Sequence, residues 1–131
     1  MREYPDDSAL LDALSAFLEG PIREATAADA ALSFRARIAA QLARVVAADL
    51  RTRSERVRAD LEGLAALLPE IEVEGTEAER ARALNRALAR LIRDGRIGGE
   101  ALARARAEVL RSLAADLAVS SPRFERSFDI E

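Results

Sequence analysis

Apolar residues return every three or four positions through most of this chain, and that spacing belongs to amphipathic helices. Leu10, Leu11, Leu14, Phe17 and Leu18 form the first stripe. Phe34, Ile38, Leu42, Val45, Val46 and Leu50 form the second, and Val57, Leu61, Leu64 and Leu68 the third. A fourth carries Ala81, Leu84, Leu88, Leu91 and Ile92, and a fifth Leu102, Val109, Leu110, Leu113 and Leu117. The pattern predicts an all-α fold, a compact bundle of about five amphipathic helices in a single domain over residues 1–131, with 119–131 as a C-terminal tail. A chain of 131 residues, 50% of them hydrophobic, has enough apolar surface for one core. Much of that fraction is Ala, which adds helix propensity and little buried area. The core is therefore expected to be thin and to be built from Leu, Ile, Val and the four Phe.

Helix ends follow from the residues between the stripes. Asp6 and Asp7 can cap the first helix, and Gly20-Pro21 is expected to stop it. The second begins near Ala27. The second and third stripes are in phase, so one unbroken helix is possible by pattern alone. It would be a rod of about 63 Å, against a diameter of roughly 36 Å for a compact chain of this length. A break is expected where Thr52-Arg-Ser-Glu55 fits a capping box, although an extended dimer would keep the rod. Pro69 closes the third helix and opens an acidic loop to Gly75 that can form a short extended stretch. Thr76-Glu-Ala-Glu79 is a second capping box; Asp94-Gly95 ends the fourth helix, Gly98-Gly99 leads into the fifth, and Ser120-Ser121-Pro122 ends it.

The residues missing from the chain narrow its chemistry. It has no His, Cys or Trp, and all 20 of its basic residues are Arg. Imidazole or thiolate metal sites, nucleophile–His pairs and Schiff-base lysines are thereby excluded. A net charge of −3 argues against a general nucleic-acid binder. The N-terminus is acidic and no apolar run approaches a membrane span, so neither a signal peptide nor a membrane segment is expected and the cytoplasm is the expected compartment. No catalytic, cofactor-binding or metal-binding residues are expected.

Among the remaining polar groups, the only Gln and the only Asn, Gln41 and Asn85, fall on apolar helix faces. They are read as structural amides at a helix interface, able to bond each other, or as polar contacts inside a ligand pocket. Arg35, Arg37 and Arg44 with Arg86, Arg90 and Arg93 form a candidate anion site; Arg37, Arg93 and Arg123 are its candidate contacts for an acyl-CoA type ligand. The competing reading pairs these bases with acidic segments of the same or a partner chain, since the first thirty residues carry seven acids against two Arg. Asp7-Ser8 is a poor match to a carrier-protein attachment motif and is better explained as a helix cap. Glu72 and Glu74 sit in a loop expected to be solvated. Phe124, Phe128 and Ile130 in the tail are candidate partner contacts.

Three stretches, Phe34 to Leu50, Leu84 to Gly95 and Leu117 to Phe124, resemble in order a bacterial family of small helical domains of unknown function. Members of that family are encoded beside, or fused to, aminoglycoside-phosphotransferase-like kinases and acyl-CoA dehydrogenases. The resemblance runs from the first helix to Phe124. The chain departs from the family pattern at Gln41, at Ala48-Asp49 and at Ser121-Pro-Arg-Phe124, which weakens any site built on the amide or phenol found there in other members. The resemblance implies a neighbourhood in acyl-CoA or acyl-substrate metabolism and no particular reaction. The reading that follows is a non-catalytic accessory or protein-interaction domain with a protein partner or as a homodimer. The alternative is a small-molecule module for an acyl or CoA-type ligand.

Overall fold

Asp6 opens the first helix: its carboxylate accepts the Ala9 N–H at 2.8 Å and the Ser8 hydroxyl at 2.7 Å. These residues belong to a computed structural model that describes residues 4–121, divided into two compact units whose boundary falls between Thr52 and Arg53. The Ser8 hydroxyl, then the Ala9 N–H, hold the Asp6 carboxyl below the usual carboxylate range. Its folded pKa is thus lower than its unfolded one. The cap therefore contributes fully above the unfolded value and is lost as pH falls through the folded value. The expected result is fraying of the first turn at low pH, seen as faster exchange of the Ala9 and Leu10 amides, and no such acid dependence in Asp6→Asn.

Helix α1 spans Asp7–Phe17 and continues through a π turn, Leu18–Ile22, into a last α-helical turn, Arg23–Ala25. Gly20-Pro21 therefore does not stop it, contrary to the sequence expectation. A proline has no N–H to place, and the widened π turn takes the chain past its ring without a break. The stop comes at Thr26, whose hydroxyl donates to the Ile22 carbonyl at 2.7 Å.

Helix α2 starts later than Ala27, at Ala30, after Asp29 has accepted the Leu32 N–H at 3.0 Å. It runs unbroken to Leu67, 38 residues, and the expected break at Thr52 is absent. The Thr52 hydroxyl donates backward to the Ala48 carbonyl at 2.9 Å, so it serves the helix it was expected to interrupt. No Gly or Pro occurs between Ala30 and Glu62 to break the ladder. A helix of this length exceeds the diameter of one compact body, but the described residues divide into two units at Thr52.

Helix α3, Glu77–Arg93, begins at Thr76, which accepts the Glu79 N–H at 3.2 Å as its capping box predicts. It ends where Gly95 adopts a φ of +64°, and the Arg96 N–H closes onto the Leu91 carbonyl at 2.9 Å. Helix α4, Gly99–Ser120, follows Gly98 and ends before Ser121. The described residues thus form an all-α fold of four helical runs, with two of the expected five fused in α2, and the acidic loop before α3 contains no strand.

The two units are packed by different means. The second has a leucine core, Leu64, Leu68, Leu84 and Leu88 with Ala105, flanked by Leu61, Leu91, Val73 and Ile97. The first buries Ala36, Ala40, Ala43 and Ala47 of α2 together with Ser8 and Ser15 of α1. Ser15 donates its hydroxyl to the Ala40 carbonyl at 2.8 Å, a side-chain bond to the neighbouring backbone that only small residues on both sides permit. The expectation of a core made from large residues fails for this unit. Its alanines form the seam, and most of its large side chains lie outside.

Candidate functional site

The alanine seam divides the surface of the first unit. At 3.6 residues per turn, Arg37, Arg44 and Arg51 fall on one flank of the α2 seam, while Leu32, Leu42, Val46 and Leu50 fall on the other. On α1, Asp12 and Glu19 flank the Ser8–Ser15 line on one side, and Leu11, Leu14 and Leu18 on the other. Arg44 pairs with Glu19 at 3.1 Å and Arg51 pairs with Asp12, so the charged flanks of the two helices lie on the same side of the hairpin. The leucine flanks therefore share the opposite side. That side is bare: Leu42 is 61% exposed and Leu14 47%. Leu32, Val46 and Leu50 on that side are also exposed, with Arg35 among them by the same spacing, while Leu10, Phe17, Phe34 and Ile38 are exposed on faces turned away from the seam.

The second unit holds a groove of about 340 Å³ between its helices. Val57 and Leu64 of α2, Ala81 and Asn85 of α3, and Val109 and Leu113 of α4 line it, with Asp60, Arg82, Glu108 and Asp116 completing the wall. Arg111 bridges Asp60 at 2.7 Å and Glu108 at 2.6 Å, and Arg56 holds Asp116 at 2.9 Å. Its hydrogen bond to Glu108 is the main reason that the Arg111 guanidinium is held more firmly protonated than usual. Gly63, inside α2, makes room for this network, because a Cβ there would meet the Glu108 carboxylate. Each wall carboxylate thus has a guanidinium partner within the unit. No group of three or more His, Cys, Asp or Glu among the described residues is arranged to hold a metal ion.

Of the described residues singled out from sequence, Gln41 and Arg37 belong to the first unit and Asn85 and Arg93 to the second. Gln41 is exposed on α2, where its carbonyl accepts from Arg44 at 3.1 Å. Asn85 is exposed on α3 at the groove and belongs to the other unit. Neither amide is buried: on α2 the alanines take the packed face and leave Gln41 exposed, whereas Asn85 lines the groove. Arg37 sits over the Phe34 ring at 5.7 Å from its centroid, and Arg93 is exposed in the last turn of α3, where a cation suits the helix dipole. Neither lines the groove. Arg123, Phe124, Phe128 and Ile130 lie outside the described residues. Two features were not anticipated. One is the seam, whose signal was Ala at positions 36, 40, 43 and 47 with Ser at 8 and 15. The other is the groove, whose lining comes from three separate helices and has no local signature.

An all-helical domain with an ion-paired groove and a bare apolar flank defines a structural class but no reaction. The chain belongs to the family described as a domain of unknown function, DUF6285, whose model matches residues 26–124. The match opens at Thr26, so α1 lies outside it, whereas the resemblance read from sequence began at the first helix. None of the curated proteins and none of the solved structures matches the chain. Among the described residues, no helix is long and apolar enough to cross a membrane.

Proposed function

We propose that this chain is a non-catalytic accessory domain that works by binding protein. The observation that carries the reading is the inverted first unit, which packs itself through alanine and serine and presents Leu, Ile, Val and Phe outward. Exposed apolar side chains grouped on one side of a domain mark an interaction surface, because leaving them in water forgoes stabilisation of about 25 cal/mol per Å². The resemblance supplies a partner class, an acyl-CoA dehydrogenase or an aminoglycoside-phosphotransferase-like kinase encoded nearby. The test mixes the purified chain with the product of such a neighbouring gene and follows complex formation by light scattering and calorimetry. A stoichiometric complex that Leu42→Glu weakens supports the reading. Turnover by the isolated chain would sink it.

The groove in the second unit favours a second reading, a small-molecule module, since its volume lies at the lower end of that of ligand sites. Its wall carries three acids against one Arg, Arg82, and neither Arg37 nor Arg93, which suits an uncharged acyl group better than the phosphates of a CoA ester. We therefore expect no change in melting temperature across a panel of acyl-CoAs. A ligand of the folded state present at one hundred times its dissociation constant would add about 2.7 kcal/mol, so a clear rise with any acyl-CoA would transfer preference to this second reading.

A further inference from the structure

We propose that the apolar side of the first unit is closed by the same side of a second copy of this chain, giving a four-helix core across a two-fold axis. The proposal rests on the protein-binding reading and deepens it by naming an occupant.

Area is the first argument. Leu14 from α1 with Leu32, Leu42, Val46 and Leu50 from α2 are all exposed on this side. Together with the half-buried Leu11 and Leu18, they offer on the order of 500 Å² of apolar surface, near the upper limit of what a monomer leaves bare. A standard interface takes about 800 Å² from each partner, and this patch makes up most of that.

Geometry is the second argument. A two-fold axis parallel to the helices sets α1 of one copy over α2 of the other, so the leucine flanks of the two hairpins face each other. Every adjacent pair of helices is then antiparallel, which opposes their dipoles favourably. A closed, self-complementary contact of this kind is the commonest form of oligomer.

Sedimentation and light scattering of the full chain over a range of concentrations test the proposal. The wild type is expected to be a dimer at micromolar concentration. Leu42→Glu and Val46→Glu are expected to raise the dimer dissociation constant at least 100-fold with helical content unchanged, since both side chains are already exposed. Ala16→Glu, an exposed position on the charged side of α1, is expected to leave it unchanged. Because the chain has no Cys, a mixture of Leu14→Cys and Val46→Cys copies reports orientation: a short bis-maleimide should join the two kinds to each other faster than either to itself. A full-length chain that stays monomeric at all concentrations overturns the proposal, as do dimers indifferent to Leu42→Glu and Val46→Glu. A monomer that still binds a neighbouring-gene enzyme would sink the dimer and leave the protein-binding reading standing.

Discussion

Leu84→Ala and Leu88→Ala should each destabilise the second unit by about 2–5 kcal/mol, the range for deleting a fully buried leucine side chain where the surroundings relax only in part. Both side chains are 1% exposed and sit against Leu64 and Leu68, so a methine and two methyl groups vanish from the centre of the leucine cluster with no solvent-facing side to collapse from. A stability of 5–15 kcal/mol is ordinary for a domain. Either change is therefore a large fraction of the total, and the double variant is expected to leave the unit unfolded. Hydrogen exchange of α3 and α4 amides reads this directly, because it separates the second unit from the first. Losses below about 1 kcal/mol for both variants would mean that the cluster is not a packed core.

The second unit was legible because it obeys the usual rule. Leu64, Leu68, Leu84 and Leu88 recur at four-residue spacing and are buried where the stripe pointed. Thr76 and Gly95 acted locally, through one hydrogen bond and one positive φ, and local chemistry can be read from local sequence. Pro21 was misread because a proline stop presumes a regular α-turn, and a π turn removes the conflict. Thr52 was misread because a Thr hydroxyl can also bond within a continuous helix, and here it donates to the carbonyl four residues back. The first unit was misread for a deeper reason. Periodicity says which residues share a face and is silent on which face meets a neighbour. In α2 two faces qualified, one of large residues and one of alanine, and the preference for burying large side chains selected the wrong one. Gln41 was carried inward with that choice. The groove lay beyond sequence reading because Val57, Asn85 and Val109 come together only once three helices have packed.

Ala40→Leu should therefore damage the first unit more than Leu42→Ala, the reverse of the order that residue size suggests. Ala40 and Ala47 are 0% exposed, and the Ala40 carbonyl accepts the Ser15 hydroxyl at 2.8 Å, so the helix backbones approach closely at this level. An isobutyl group placed there has no void to enter. It must push α1 outward, which breaks the Ser15 bond and strains the Arg44–Glu19 pair beside it. Overpacking of a tight core costs about 1–3 kcal/mol. A buried hydrogen bond lost with it adds about 1 kcal/mol, enough to release α1 from a seam only two helices wide. Leu42, 61% exposed, loses little on truncation in a single chain. Limited proteolysis within residues 7–25 and exchange of the α1 amides should show Ala40→Leu opening α1 while the amides of α3 and α4 remain protected. If Ala40→Leu is tolerated and Leu42→Ala is not, the seam runs along the large residues after all and the outward face described for this unit does not exist.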